Sequence, residues 1–491
     1  NKDGAFIYDS DKVKVSSAIL SNNNIQGIAI PLTTIAKEAG GELMRNVVAL
    51  GTTMYLVGQP LTIANKIVRE TFSKKGKKIV DNNIKALKAG YDFVKANMED
   101  EFMCKLPSLK AKDNILITAN ESLALGAVAG GLGFYAAYPM TPSSSILHYL
   151  AKIAAKTGLV VKHAEDEISV ANMALGASHM GARSMVATSG GGFALMTETL
   201  GLVGLTETPL VMINVQRGGP ATGLPTWTEQ ADLQFMLHAA QGDFPRIVMA
   251  PGDAGEAFEM GHQALNWADM YQLPVLILSD KLIGEGNTTV PRFNSKNVKI
   301  NRGKILTQAQ LNKIKEYGRY KVTQDGISPR ALPGMKGGLF IANSDEHDAY
   351  GFSNEDSQNR IDQVDKRYRK LDEFRKIMPK PLIYGNPKAK KTVVFWGSNK
   401  GVVLDSYVAL PDKIKSKIRI MQYQYLWPFD GEFTKQILNS SKDILLIENN
   451  PNGQLANLIA QETGIMIKNK LLKYDGRPFF REEIISALKK F

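Results

Sequence analysis

From residue 114 onward the chain alternates short apolar runs with glycine-punctuated stretches of helical spacing. The runs at 115–118, 134–138, 160–163, 184–188, 209–215 and 274–278 predict strands. Between them, residues 120–129 and 143–156 predict helices, as does a stretch that opens in 165–168 and continues through 176. Strands separated by helices predict a doubly wound parallel α/β sheet over 114–285. Residues 286–390 are less regular, rich in charge, Asn and Gly, with a helix over 359–377. A second α/β domain is expected over 391–491. It has strands at 392–396 and 444–447 and a closing helix at 481–490. Residues 1–97 read as a small, largely helical segment. A turn at Pro31 enters a helix, 46–56 is apolar, and Ala86, Leu87, Ala89 and Phe93 recur with helical spacing in 82–95. Residues 98–113, acidic then basic and containing Pro107, read as a linker. No tandem repeat of short period is present.

Composition narrows the class. A length of 491 residues suits about three domains. Hydrophobic residues at 44% and charged residues at 22% exclude a collagen-like or wholly disordered chain. No apolar run reaches the ~18 residues of a membrane span; the longest, around 124–137, is glycine-rich. The single cysteine, Cys104, excludes an internal disulfide and any iron–sulfur or zinc site built on several thiolates of this chain. It favours a reducing compartment, the cytoplasm. The net charge is +12. The densest basic cluster, Lys74-Lys75-Gly76-Lys77-Lys78, lacks interleaved aromatics, so it reads as a solvated surface and not as a nucleic-acid site. The opening Asn1-Lys2-Asp3-Gly4-Ala5-Phe6 carries neither methionine nor a signal pattern, and residues are expected to be missing ahead of it.

Ligands of open parallel sheets bind outside the carboxyl ends of the strands. Four segments of 114–285 fall there: Tyr138-Pro139-Met140-Thr141-Pro142-Ser143-Ser144, Glu165-Asp166-Glu167, Thr188-Ser189-Gly190-Gly191-Gly192, and Gln216-Arg217-Gly218-Gly219-Pro220-Ala221-Thr222-Gly223. Singly, each has a structural explanation: a rigid turn, acids complementing a helix dipole, a tight glycine turn, a surface ion pair. Together they bring hydroxyls, carboxylates, backbone amides and a guanidinium to one sheet edge, which favours a site. Gly131-Leu132-Gly133-Phe134-Tyr135-Ala136 matches G-x-G-x-x-A, but it follows a helix and precedes a strand, the reverse of a dinucleotide fingerprint. No phosphate-binding G-x-x-x-x-G-K-[ST] loop, G-x-S-x-G elbow or paired histidine motif exists, and no metal site is expected on this chain. Asp345-Glu346-His347-Asp348 reads as a solvated or interface loop.

The segment Tyr138-Pro139-Met140-Thr141-Pro142-Ser143-Ser144 resembles the YPITPSS signature of 2-oxoacid:ferredoxin oxidoreductase alpha subunits, with Met140 where isoleucine is usual. The stretches 167–181, 188–198, 214–226 and 319–351 resemble the same subunit in the same order. So do Tyr425-Leu426-Trp427-Pro428-Phe429, Glu448-Asn449-Asn450 and Gly476-Arg477-Pro478-Phe479. Residues 27–97 resemble the later part of the gamma domain fused ahead of alpha in many members, whose first part is expected to be missing here.

The resemblance implies a gamma segment over 1–97, a thiamine-diphosphate-type pyrimidine-binding domain over 114–285, and a transketolase C-terminal-like domain over 391–491. It implies oxidative decarboxylation of a 2-oxo acid, 2-oxoglutarate favoured, with coenzyme A and ferredoxin. Alternatives are a pyruvate or branched-chain relative, or a non-catalytic assembly or regulatory subunit of the same fold. Thiamine diphosphate would be shared with a beta subunit holding Mg2+ and a [4Fe-4S] cluster, in an alpha–beta heterodimer or a dimer of such pairs. Glu167 aligns with the cofactor-activating glutamate, and like charges nearby are expected to raise its pKa. Thr141 and Arg217 align with substrate contacts; Pro139, Met140, Ser189 and Gly190 would lie beside the cofactor.

Overall fold

The computed structural model describes residues 5–16, 26–98, 105–107 and 112–491. It comprises two units, Asn1–Lys112 and Asp113–Phe491. Most of the linker read over 98–113, and Cys104 with it, lies outside the described residues.

The first unit adds to its helices a parallel strand pair that the helical reading did not foresee. β1 (Ala5–Asp9) pairs with β2 (Gln26–Ile30). The helices Leu32–Ala39, Arg45–Leu56, Leu61–Phe72 and Lys77–Asn97 follow. Ile28 and Ile30 of β2 bury with Val48, Leu56, Ala86 and Val94 in one core.

In the second unit β3 (Asn114–Ile117), β4 (Phe134–Ala137), β5 (Val160–His163), β6 (Ser184–Thr188), β7 (Leu210–Gln216), β8 (Ile247–Met249), β9 (Pro274–Asp280) and β10 (Thr288–Pro291) come first. Then follow β11 (Leu382–Gly385), β12 (Lys391–Trp396), β13 (Ile418–Tyr423), β14 (Tyr425–Trp427), β15 (Asp443–Glu448) and β16 (Asn469–Leu472). One sheet has the order β14-β8-β9-β7-β6-β4-β5, parallel except for β14; a second has the order β11-β13-β12-β15-β16. The fold is thus α/β on parallel sheets, as expected, with one correction. The strand at 115–118 does not join the main sheet: β3 pairs antiparallel with β10 as a separate ribbon.

Side-chain alternation explains the layering. Met185 and Ala187 of β6, with Val211 and Ile213 of β7, enter one core; Val186 and Met212 enter another. That second core also takes Val394 and Trp396 of β12, so it glues the two sheets together. The opposite face of β12, Val393 and Phe395, buries in a third cluster. β14 does more than pack. It leaves the second sheet after β13 and pairs with β8 at the edge of the first.

The irregular region is anchored to the main sheet by buried charge. Glu207, ahead of β7, meets Lys366 Nζ at 2.6 Å and also Lys370, both on the helix Ser357–Arg375. Arg319 donates to the Glu207 carbonyl at 2.7 Å. Burial alone would raise this carboxyl, but Lys366, Lys370 and Arg319 outweigh it and hold it far below its ordinary range. The stability it lends is therefore present above the unfolded carboxylate pKa and is lost only in strong acid. Glu207→Gln strands two buried ammonium groups and should cost about 3–5 kcal/mol. Thermal unfolding at neutral pH checks this; an unchanged midpoint would show that the cluster contributes nothing.

Candidate functional site

Strands β7, β6, β4 and β5 are consecutive neighbours and all parallel. Their carboxyl ends therefore set the four predicted segments side by side along one edge. Local capping decides what each acid of the second segment does. Asp166 is the N-cap of the helix Glu167–His179, accepting from Ser169 N at 2.8 Å. Glu165 accepts from the Ser169 hydroxyl at 2.8 Å and is exposed. Glu167, the first helical residue, is turned inward and is 3% exposed.

Glu167 Oε1 has no hydrogen-bond partner among the described residues. Its carboxyl lies on the backbone of Gly192: a Cβ there would stand 2.4 Å from Oε1 and 2.0 Å from Thr188 Oγ1. Only glycine allows that approach. The Glu167 carboxyl is raised above its ordinary pKa, chiefly by burial, with the charge of Asp166 adding to it. Its own backbone and the Thr188 hydroxyl oppose the shift without reversing it. The expected direction holds, but desolvation leads and like charge follows. Gly190-Gly191-Gly192 is not a mere tight turn; it starts the helix Gly190–Leu195.

The Thr141 loop is pinned from two sides. Asn120 Nδ2 donates to the Pro142 carbonyl and to Ser145 Oγ, each at 2.9 Å. Arg217 Nη1 donates to the Thr141 carbonyl at 2.6 Å. Met140 is half-buried, its sulfur 3.7 Å from Thr188 Oγ1, and Pro139 is exposed at the rim. Ser189 is fully buried and its hydroxyl has no partner among the described residues. The geometry therefore brings Thr141 directly to Arg217, and links Met140 through Thr188 to Glu167.

Sequence reasoning missed three groups. Asp232 packs on Gly190, where a Cβ would lie 2.6 Å from its Oδ2. Asn214, two residues before the end of β7, donates to that Oδ2 at 2.9 Å. Glu229 lies behind Gly218, and burial, with the charge of Asp232 added, pushes its carboxyl up to about 7. Distance along the chain hid Glu229 and Asp232: the loop after Arg217 runs outward and returns before it delivers them. Asn214 lies inside the apolar run of β7, which masks it.

Comparison with known proteins follows the same lines. Residues 125–366 match the family described as pyruvate flavodoxin/ferredoxin oxidoreductase, thiamine diphosphate-binding, and residues 1–93 match pyruvate ferredoxin/flavodoxin oxidoreductase. The 2-oxoacid:ferredoxin oxidoreductase subunit alpha of Saccharolobus solfataricus is 38% identical, over 79% of this chain and 63% of that protein. Subunit alpha of 2-oxoacid:ferredoxin oxidoreductase 1 from Sulfurisphaera tokodaii is 34% identical, over 97% of this chain and 78% of that one. The solved 2-oxoglutarate:ferredoxin oxidoreductase of Magnetococcus marinus, with 2-oxoglutarate, coenzyme A and succinyl-CoA bound, superposes with a TM-score of 0.91 at 33% identity. It covers 99% of this chain and 84% of that one. No helix among the described residues is long and apolar enough to cross a membrane. The chain therefore belongs to the family of 2-oxoacid:ferredoxin oxidoreductase alpha subunits, with its thiamine-diphosphate-binding domain over the segment that carries Glu167, Thr141 and Arg217.

Proposed function

We propose that this chain, with a separate beta subunit, oxidatively decarboxylates a 2-oxo acid, 2-oxoglutarate favoured, to an acyl-CoA and CO2, passing the electrons to ferredoxin. The observation that carries the reading is Glu167: a buried carboxyl, its pKa raised by burial, with an unpartnered oxygen, on the sheet edge that also carries Thr141 and Arg217. These residues fit thiamine diphosphate, whose aminopyrimidine ring needs a carboxyl to share a proton with. When bound, that cofactor supplies the carbanion chemistry by which 2-oxo acids lose CO2.

The chain's own residues do the rest. Glu167 gives a proton to a ring nitrogen and takes it back through Oε1, and its burial keeps water from competing. Arg217 uses one donor on the Thr141 carbonyl and keeps the others for the substrate carboxylate. The Thr141 hydroxyl lies on the same pinned loop, to meet the 2-oxo group. Met140, Pro139, Ser189 and Gly190 form the surfaces against the ring; the free Ser189 hydroxyl is one more donor for it.

In this reading Mg2+ belongs to the beta subunit, as does the [4Fe-4S] cluster, which needs several thiolates where this sequence has one cysteine. The assembly is a heterodimer or a dimer of heterodimers, and that single cysteine suits the cytoplasm. The ligands named for the Magnetococcus marinus protein favour 2-oxoglutarate and coenzyme A as substrates. The test is co-purification with the beta subunit, then viologen reduction with coenzyme A and a panel of 2-oxo acids. The highest kcat/KM is expected for 2-oxoglutarate. A complex that reduces viologen with none of the acids would refute the proposal.

A further inference from the structure

The segment after Arg217 returns to the carboxyl ends of β6 and β7 and places Asp232 between two walls of the site. Asp232 Oδ2 presses on Gly190 and accepts from Asn214 Nδ2 at 2.9 Å, while its backbone N–H donates to Gln216 Oε1 at 3.0 Å. Two buried oxygens beside this knot, Ser189 Oγ and Asn214 Oδ1, have no partner among the described residues. A carboxyl held by that many restraints at a rim, next to polar atoms left unpaired, is unusual for packing alone. The charged groups whose fields reach it are Arg217 and Glu229, Arg217 acting through space and not as an ion pair; Asn214, Gln216, Ser189 and Gly190 are neutral.

We propose that Asp232 is a positioning residue of the 2-oxo acid site, which seats the Ser189-Gly190 wall and shares the positive charge of Arg217 with the incoming carboxylate. This rests on the reading of Arg217 as a substrate ligand. Burial raises the Asp232 carboxyl, while Asn214 and then Arg217 pull it back down. As an anion, Asp232 competes with the substrate for the field of Arg217. Once protonated, it releases that field. The site then binds a 2-oxo acid more tightly as the pH falls.

The experiment compares wild-type, Asp232→Asn and Asp232→Ala chains, each assembled with the beta subunit. Asparagine keeps the shape and still accepts from Asn214. At pH 8 its KM for the 2-oxo acid should be about threefold or more below wild type, with kcat within about twofold. That gap should close as the pH is lowered, because Asp232 titrates in the wild-type chain alone, whereas Glu229 titrates in both. Alanine opens the Gly190 wall and should lower kcat/KM at every pH. A role confined to packing would move kcat and KM together in both variants and leave the pH profiles parallel. An Asp232→Asn KM that is unchanged or raised at pH 8 overturns the proposal while normal wild-type turnover leaves the parent reading intact. Loss of wild-type turnover itself would instead remove that reading.

Discussion

The Glu167→Gln enzyme should turn over 2-oxo acids at least about a hundredfold more slowly than wild type, the usual scale for losing a general acid–base. Glutamine fills the same space on Gly192, so packing is preserved while proton transfer is not. The same substitution should leave the fold more stable at alkaline pH. A carboxyl whose folded pKa is raised favours the folded state below its unfolded pKa, and that benefit is lost as the pH rises through the folded value. Glutamine carries no such penalty. The melting temperature of Glu167→Gln should exceed that of wild type at pH 8 and match it near pH 4. Slow turnover with a raised alkaline midpoint separates a chemical role from misfolding. Near-normal kcat would end the assignment of Glu167.

Arg217→Lys should raise KM for the 2-oxo acid about ten- to a hundredfold, with a smaller fall in kcat. In the proposed role the guanidinium serves two partners: Nη1 holds the Thr141 carbonyl at 2.6 Å, and the remaining donors take the substrate carboxylate. An ammonium is a compact point charge without a planar fork, so it cannot hold the loop and grip a carboxylate bidentately at once. Losing either contact weakens ground-state binding, which is why KM moves most. Steady-state kinetics with viologen as acceptor decide it, and a wild-type KM would mean that the substrate carboxylate binds elsewhere.

Much of the fold was legible because period and burial agree. β6 and β7 are apolar runs buried on both faces, as central parallel strands require. β3 was legible as a strand but not in its pairing, because Asn114–Ile117 has no feature that distinguishes a main-sheet partner from β10. The helix Ala254–Tyr271 carries Ala257, Met260, Ala264, Leu265, Ala268 and Tyr271 at helical spacing, a pattern the sequence reading passed over. In the site, Glu167, Thr141 and Arg217 announce themselves by standing at strand ends. Asp232 does not: its place depends on where a long loop comes back, and nothing local encodes that. The pairing of Arg217 with the Thr141 carbonyl is a contact across 76 positions, equally invisible to spacing.

β14 turns the two α/β sheets into one mechanical piece. Tyr425 and Trp427 pair with Met249 and Val248, and the Ala250 N–H donates to the Gln424 carbonyl at 2.8 Å. Gln230 adds a second rivet, bonding to Trp396, Asn399, Asn449 and Asn450 at 2.7 to 3.0 Å. Cutting the chain ahead of Tyr425 would not release a tidy half. It would bare the edge of β8, and a raw strand edge recruits other chains. A chain divided between the two sheets would therefore have to keep this strand with the first piece to leave that edge covered.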